Sequence, residues 1–471
     1  MPMGRADARA RRALADAEPA VYWTSRTEPP APAEPLPRSS KADLAVVGGG
    51  LTGLWAAVLA KLRDPGREVV LLEKYRIGGG GSARSGGFLS ESLTHGLAHG
   101  AWLWPEEIGT LVALGRRNLA AVEEFVAAEG IDAGLRMCGK TSVATEPHQV
   151  GELSDELSLY REHGFEAVFQ GAGGVRADIA SPTYRAGLRL PGAGGLVDPA
   201  RLTWGLARSA SRLGVAVHED TPVRALRDRG GAVDVVTPHG TVRAAGAVVA
   251  TNAFPPPLRG IRRHVLPVWD HVLVTEPLAD EQWRSVGWRD GQGVTDSHNN
   301  FHYYRPTPDG RILWGGSEAH YYFGGRTGAR QARRPGPYEA LAAGFFDTFP
   351  QLEGIAFTHR WGGPIDSTAR FTPVFGTRCS GRVAYAVGYT GLGLAASRFG
   401  AGVALDLLRG EETELTRPAM VRQKPVRFPP EPLRWPLVQY TRRALAKADA
   451  RGGRRGRWLR HLDRRGIGLG S

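Results

Sequence analysis

The chain has 471 residues, 42% hydrophobic and 23% charged, which excludes a disordered, fibrous or miniature scaffold and exceeds what one core usually serves, so two packed domains are expected. Its two cysteines, Cys138 and Cys379, stand too far apart for a disulfide framework, a thiolate zinc site or an iron–sulfur cluster. The net charge is +13, yet 54 of the 60 basic residues are arginine and many crowd between Arg442 and Arg465; the excess reads as a solvated or locally paired tail, and no nucleic-acid partner is expected.

Residues 1–20 alternate alanine with arginine and aspartate, without the apolar stretch of a secretory signal. No run approaches the roughly 18–20 apolar residues of a membrane span, so a cytoplasmic protein without a transmembrane segment is expected. Residues 26–40 are proline-rich and suit neither a helix nor a central strand; ordered folding is expected to begin after them. From Asp43 a strand, a glycine turn and a helix carrying Leu51, Leu54, Val58 and Leu62 on one face run to Asp64-Pro65-Gly66, followed by the apolar strand Val69–Leu72. Continuous apolar strands around a helix are the pattern of a parallel βαβ unit.

Pro199–Leu213 reads as an amphipathic helix, Val215–His218 as a strand, and Ala232–Val249 as strands turning at Pro238-His239-Gly240, all assigned to the same sheet system. Segments 101–190 and 265–350 hold helices such as Thr110–Glu129 and aromatic strands such as Phe301–Arg305 without the parallel pattern, which suits a second, antiparallel domain. A buried strand at Val383–Val387 and a helix after Gly391 return to the first. The expected division is an approach segment (1–41), a nucleotide-binding domain in three pieces (42–100, 191–264, 355–410), a substrate domain in two (101–190, 265–354) and a basic C-terminal extension (411–471). In that extension an Arg-rich helix is expected from about Leu437 to Ala450, with Trp458, Leu459 and Leu462 pinning a last short helix to the body.

Gly48-Gly49-Gly50-Leu51-Thr52-Gly53 is a GxGxxG placed between a strand and a helix. Gly48 allows the tight turn, Gly50 the approach of a pyrophosphate, Gly53 close helix–strand packing, and the helix N-terminus offers free N–H groups to phosphate. Glu73, 20 residues past Gly53, ends the second strand where a carboxylate accepts ribose hydroxyls. FAD and NAD share this fingerprint. The following loop, Gly78 to Gly87, is built of small residues and suits backbone running along a long cofactor, with Arg84 available to a pyrophosphate or a flavin edge. Val248–Ala253 is a buried strand ending in Thr251 and Asn252, and Gly388-Tyr389-Thr390-Gly391-Leu392-Gly393 is a second glycine turn before a helix, whose N-terminus suits a reduced flavin's negative pyrimidine edge.

Taken in order, GxGxxG–Glu73, GGGGSARSGG, GGLVDPARLTWGLA, VVATNAF, YYRPTPDGRILWGG and GYTGLGLAAS resemble the D-amino-acid oxidase/glycine oxidase superfamily of FAD-dependent oxidoreductases, most of all its gamma-glutamylputrescine oxidase-like branch, over roughly residues 20–410. The resemblance implies an α/β fold. It comprises a glutathione-reductase-type FAD-binding Rossmann domain built from discontinuous segments, a mixed or antiparallel-sheet substrate domain and the basic helical extension. It implies FAD held by Gly48, Gly50, Leu51, Thr52, Gly53, Glu73 and Lys74 at the ADP half, with Arg84, Ser85, Gly86 and Gly87 near the pyrophosphate and ring. By the same resemblance Val223, in the strand-like Thr221-Pro222-Val223, is expected to meet the adenine through its backbone, Thr251 and Asn252 to border the cofactor, and Gly363, Tyr389, Thr390, Gly391, Leu392 and Gly393 to line the isoalloxazine.

The implied reaction is oxidation of an amine or amino-acid C–N bond by hydride transfer to flavin N5, hydrolysis of the imine, and reoxidation by O2 or another acceptor. Tyr303, Tyr304, Arg305 and Trp269 are the leading substrate-side candidates, with His271, His302, Tyr321 and Arg370 behind them. Strand alternation allows only one of Tyr303 and Tyr304 to face a pocket. Leu392 stands where relatives often carry histidine, no lysine adjoins Leu313-Trp314, and Ser367 stands at the flavin-linking cysteine position, so the FAD is expected to be noncovalent. His95 and His99 lack a third ligand, and no metal is expected. The alternatives are an aromatic-hydroxylase-type flavin monooxygenase and a basic binding protein with a vestigial flavin fold.

Overall fold

The computed structural model describes residues 8–258 and 260–468; the first seven residues of the expected approach segment and the last three of the expected extension lie outside them. Two eight-stranded sheets organise the chain. In the first, Ser40–Val47 runs parallel to both neighbours, Val69–Leu72 and Gly240–Val249. Ala216–His218 and Val383–Val387 extend the parallel set on either side, while Val233–Thr237 and Val374–Arg378 join antiparallel. Val69–Leu72 and Val383–Val387 are buried at every position, as strands covered on both faces must be. Helices Leu51–Arg63, Pro199–Arg212 and Gly393–Arg409 supply Leu54, Trp55, Leu202, Leu206 and Phe399 to the core on one side. Pro199–Arg212 starts where the sequence allows it: Asp198 accepts the N–H groups of Ala200 and Arg201 at 2.9 and 3.0 Å, and Pro199 needs no donor.

The second sheet runs Phe357–Ser367, Leu266–Thr275, Ile312–His320, His302–Pro306, Gly293–Asp296, Lys140–Ala144, Ala186–Leu190, Val168–Gly171. It is mixed: Gly293–Asp296 pairs parallel with Lys140–Ala144, and the other neighbours pair antiparallel. Alternation sorts its central residues into two sets. Val272, Val274, Leu313 and Trp361 face the first core, with Tyr303 packed against it. Leu273, Tyr304 and Trp314 face a second core beneath helix Pro335–Thr348, with Tyr338, Phe345 and Phe349.

Three expectations are corrected. Ordered folding precedes the proline-rich stretch: Ala8–Ala13 and Tyr22–Ser25 are helical, and Ala10, Tyr22 and Trp23 are buried in the two cores. Phe357–Ser367, assigned from sequence to the nucleotide-binding part, pairs along its length with Leu266–Thr275 in the second sheet. Helix Ile108–Ala128, assigned to the substrate part, packs Leu111, Leu114, Leu119 and Val122 into the first core. Burial partners decide all three, and local sequence does not encode them. Among the described residues no helix is long and apolar enough to cross a membrane.

Candidate cofactor and substrate site

The first glycine turn has two closed positions and one open one. A Cβ on Gly48, at φ +110, would lie 2.5 Å from the Ala250 carbonyl oxygen, and one on Gly53 would lie 1.9 Å from that of Gly48; backbone fills both spaces. Gly50 caps helix Leu51–Arg63 at φ −82, and a Cβ there would meet only Ser82 Oγ, at 2.9 Å. Glu73 accepts the Gly49 N–H at 2.7 Å and the Tyr75 N–H at 2.9 Å, and burial raises its carboxyl pKa against these donors. Its oxygens thus brace the turn. Lys74 is exposed, its ammonium 4.6 Å from the centre of the Tyr75 ring. The Leu51 N–H donates to Ser82 Oγ at 3.0 Å, fastening the second glycine loop to the helix N-terminus. Val223 belongs to no strand, and neither its N–H nor its C=O is paired among the described residues.

Gly78–Gly87 is held by its carbonyls. Trp361 Nε1 donates to Arg84 O at 2.8 Å, Trp23 Nε1 to Ser85 O at 2.9 Å, and Arg305 Nη1 to Gly87 O at 3.0 Å and Val197 O at 2.8 Å. Its side chains are not held in the same way. Among the described residues the Arg84 guanidinium, its pKa lowered by burial, makes no hydrogen bond or ion pair, and the buried hydroxyls of Ser85 and Thr251 have no partner. Beside the open position at Gly50, such unspent donors fit a polyanionic dinucleotide and would be costly left dry and unpaired. Asn252, at φ +50, brings its Nδ2 3.9 Å from where a Gly81 Cβ would stand.

The second glycine turn is organised by a residue not singled out from sequence. Asp366, buried at the end of Phe357–Ser367, accepts the Gly388 N–H on Oδ2 at 2.5 Å, and its own carbonyl accepts the Thr390 N–H at 3.3 Å. Tyr389, expected along the isoalloxazine, turns its ring inward: its hydroxyl accepts from Thr52 Oγ1 at 3.1 Å and lies where a Gly400 Cβ would stand. Leu392 caps helix Gly393–Arg409, and Gly391 is exposed beside it. Ser367 is buried in the adjoining strand, whereas Cys379 sits in the turn between Val374–Arg378 and Val383–Val387.

Burial pushes the Asp366 carboxyl up from 3.8 to about 7. The folded state therefore holds a proton that the unfolded chain has released, so this group's contribution is greatest below about pH 4 and declines until about pH 7. Thermal melts are expected to fall over that interval, and Asp366→Asn, which keeps the acceptor for Gly388, to flatten the fall; an unchanged slope would refute this account.

On the sheet face turned to the glycine loop, the Tyr303 hydroxyl donates to Asp270 Oδ2 at 2.6 Å. Its ring lies where Cβ atoms on Gly86 and Gly315 would stand, edge-on to Phe88. Burial raises Asp270 to about 6. Gly363 shares this face, 3.8 Å from Arg84 Cδ at its Cβ direction. Tyr304 and Trp269 are corrections: both lie on the opposite face. Tyr304 stacks on Trp314 and shares a 2.5 Å hydrogen bond with Tyr184 OH; Trp269 donates to Arg326 O at 2.9 Å. Arg305 and Arg370, expected to suit a carboxylate, are both buried with carbonyl partners, Arg370 donating to Met420 O and Gln423 O.

His271 lies on the far face with Trp269, lowered to about 3 by burial and by His320. His302 is structural, bonded to Asp296 at 2.7 Å and stacked on Trp314. Tyr321 donates to Glu431 at 2.5 Å. Among the described residues no group of three or more His, Cys, Asp or Glu could hold a metal. Ser82, Asp270 and Asp366 were missed from sequence. Ser82 had a signal, a hydroxyl within a glycine loop; the two aspartates are placed by pairing across strands, which leaves none.

A family model described as FAD dependent oxidoreductase matches residues 43–407. The gamma-glutamylputrescine oxidoreductase of Escherichia coli is 30% identical over 402 residues, 83% of this chain and 89% of that protein. A probable oxidoreductase, OrdL, of Haemophilus influenzae is 28% identical over 81% of this chain and 86% of its own length. Among solved structures, glycine oxidase from Geobacillus kaustophilus is similar with a TM-score of 0.65 and 23% identity, covering 79% of this chain and 96% of that one. L-proline dehydrogenase from P. horikoshii is similar with a TM-score of 0.66 and 19% identity, covering 80% and 96%.

Proposed function

The chain belongs to the DAO family of FAD-dependent oxidoreductases; from this premise we propose that it oxidises a C–N bond of an amine or amino-acid substrate with a noncovalently held FAD. When bound, the cofactor supplies the two-electron acceptor for the hydride that leaves the substrate's α-carbon. The resulting imine is hydrolysed to a carbonyl compound and a smaller amine, and O2 or another acceptor regenerates the cofactor. Gly48–Gly53, Glu73 and the Gly78–Gly87 loop hold the dinucleotide, with Arg84, Ser85 and Thr251 offering donors, Val223 its backbone to the adenine, and Asn252, Gly363 and Thr390–Gly393 bordering the ring. The first sheet is the cofactor-binding unit and the second the substrate-binding unit.

The observation that carries the substrate side is the half-buried Tyr303–Asp270 pair facing the glycine loop. A carboxyl raised to about 6 is ionised at neutral pH and, through the Tyr303 hydroxyl it orients, favours an N–H donor over an anion at this face. Because hydride leaves from the free amine, the pair orients the nitrogen and no further base is needed. Anaerobic mixing with polyamines, glutamylated amines, N-methyl amino acids and D-amino acids is expected to bleach the flavin with at least one of them; bleaching by none would overturn the reading. Tyr303→Phe is expected to lower turnover by about 10–100-fold with FAD content unchanged, and Asp270→Asn to shift the acid limb of the pH–rate profile near pH 6. Unaltered kinetics in both would remove the pair from the site.

A further inference from the structure

We propose that helix Arg434–Asp449 and the adjoining Phe323 loop form a docking surface for an anionic lipid membrane, a role independent of the C–N oxidation reading. The charge is divided unevenly. Between 422 and 465 stand fourteen Lys and Arg against three Asp and Glu, eleven of the thirteen net positive charges of the chain. The three acids are engaged: Glu431 accepts from Tyr321, Gly324 and Trp435, Asp449 from Asn299, and Asp463 pairs with Arg455. Arg443, Lys447, Arg451, Arg454, Arg457 and Arg460 are exposed, and none is in an ion pair among the described residues.

The same element carries an exposed apolar cluster. Leu433, Trp435, Leu437 and Tyr440 are 65%, 40%, 37% and 57% exposed, and Phe323 is 51% exposed. Glu431 holds the Phe323 loop against the start of this helix, since its carboxylate takes both the Gly324 N–H and the Trp435 N–H at 3.1 Å. The patch is mounted rigidly: Gln439 Nε2 donates to Tyr321 O at 3.0 Å, Arg442 pairs with Glu318 at 2.6 Å, and Trp458 donates to Thr441 at 3.0 Å. Aromatic and aliphatic side chains followed along one helix by unpaired cations match a headgroup boundary, the apolar end entering it and the basic end meeting anionic lipid. Nucleic acid has no use for exposed Leu433 and Leu437, and a second copy would set two strongly basic surfaces against each other.

The test is co-sedimentation of the FAD-loaded protein with vesicles of phosphatidylcholine alone or with phosphatidylserine added. Binding is expected on the mixed vesicles only, weakening as salt rises. The exposed triple variant Leu433→Ser/Trp435→Ser/Leu437→Ser, and separately Arg443→Glu/Lys447→Glu, are each expected to lower the bound fraction about fivefold or more while flavin content is kept. No binding at low salt, or equal binding to neutral vesicles, would overturn the proposal. So would duplex DNA binding that survives the serine substitutions in a protein that ignores vesicles, which would assign the surface to nucleic acid, and so would dimerisation through this face.

Discussion

Gly50→Val is expected to yield a folded but colourless protein, and Gly53→Val to yield little folded protein at all. The two positions share one motif and differ in what surrounds them. At Gly50 the backbone is in an ordinary region, and the nearest obstacle is the movable tip of Ser82; losing glycine at the cap costs about 1 kcal/mol. On the proposed placement of the cofactor the valine projects into the space its pyrophosphate needs, so the cost is expected to fall on FAD binding. At Gly53 the added carbon would lie 1.9 Å from the Gly48 carbonyl oxygen. Only separation of helix Leu51–Arg63 from strand Ser40–Val47 relieves that, at a cost on the order of 4 kcal/mol or more. Flavin absorbance per chain and thermal melts separate the outcomes. A yellow Gly50→Val protein with one FAD per chain would show that this turn does not receive the pyrophosphate.

Arg305→Met is expected to destabilise the fold by about 2–4 kcal/mol and to weaken FAD retention. Arg305 is 3% exposed, and its guanidinium donates from Nη1 to the Gly87 and Val197 carbonyls and sits 5.2 Å from the Trp23 ring centre. Burial lowers its pKa only to about 10, so it stays charged at neutral pH. Removing it leaves Val197 O without that donor and Gly87 O held, among the described residues, by the Val197 N–H alone, at 2.9 Å, which loosens the end of the glycine loop. Were Arg305 instead a substrate carboxylate clamp, denaturation would be unchanged and only the KM for acidic substrates would rise. Urea titration together with FAD affinity distinguishes the two.

These contrasts mark how far the residues could be read before folding. The glycine turn Gly48–Gly53 with the helix it opens, and the turn before Gly393–Arg409, were legible as local structure because each is a few residues whose spacing is set by a turn and a helix start. The apolar strands Val69–Leu72 and Val383–Val387 were legible because burial on both faces leaves a continuous signature. Tyr303 and Tyr304 show the limit. Alternation dictates that they part, but which one meets the glycine loop depends on pairing with Ile312–His320 and on the core each face covers.

The linear chain by itself determined the glycine turn between strand and helix, the family and the concentration of charge near one end, because all three are written in residue types at short range. Tertiary structure decided the rest. It set Asp270 beside Tyr303 across 33 residues, sent Asp366 to brace a turn 22 residues on, and buried Arg305 among carbonyls from Gly87 and Val197. A side chain's partner is chosen by strand register and by which core excludes water from it, and neither quantity exists until the sheets have formed.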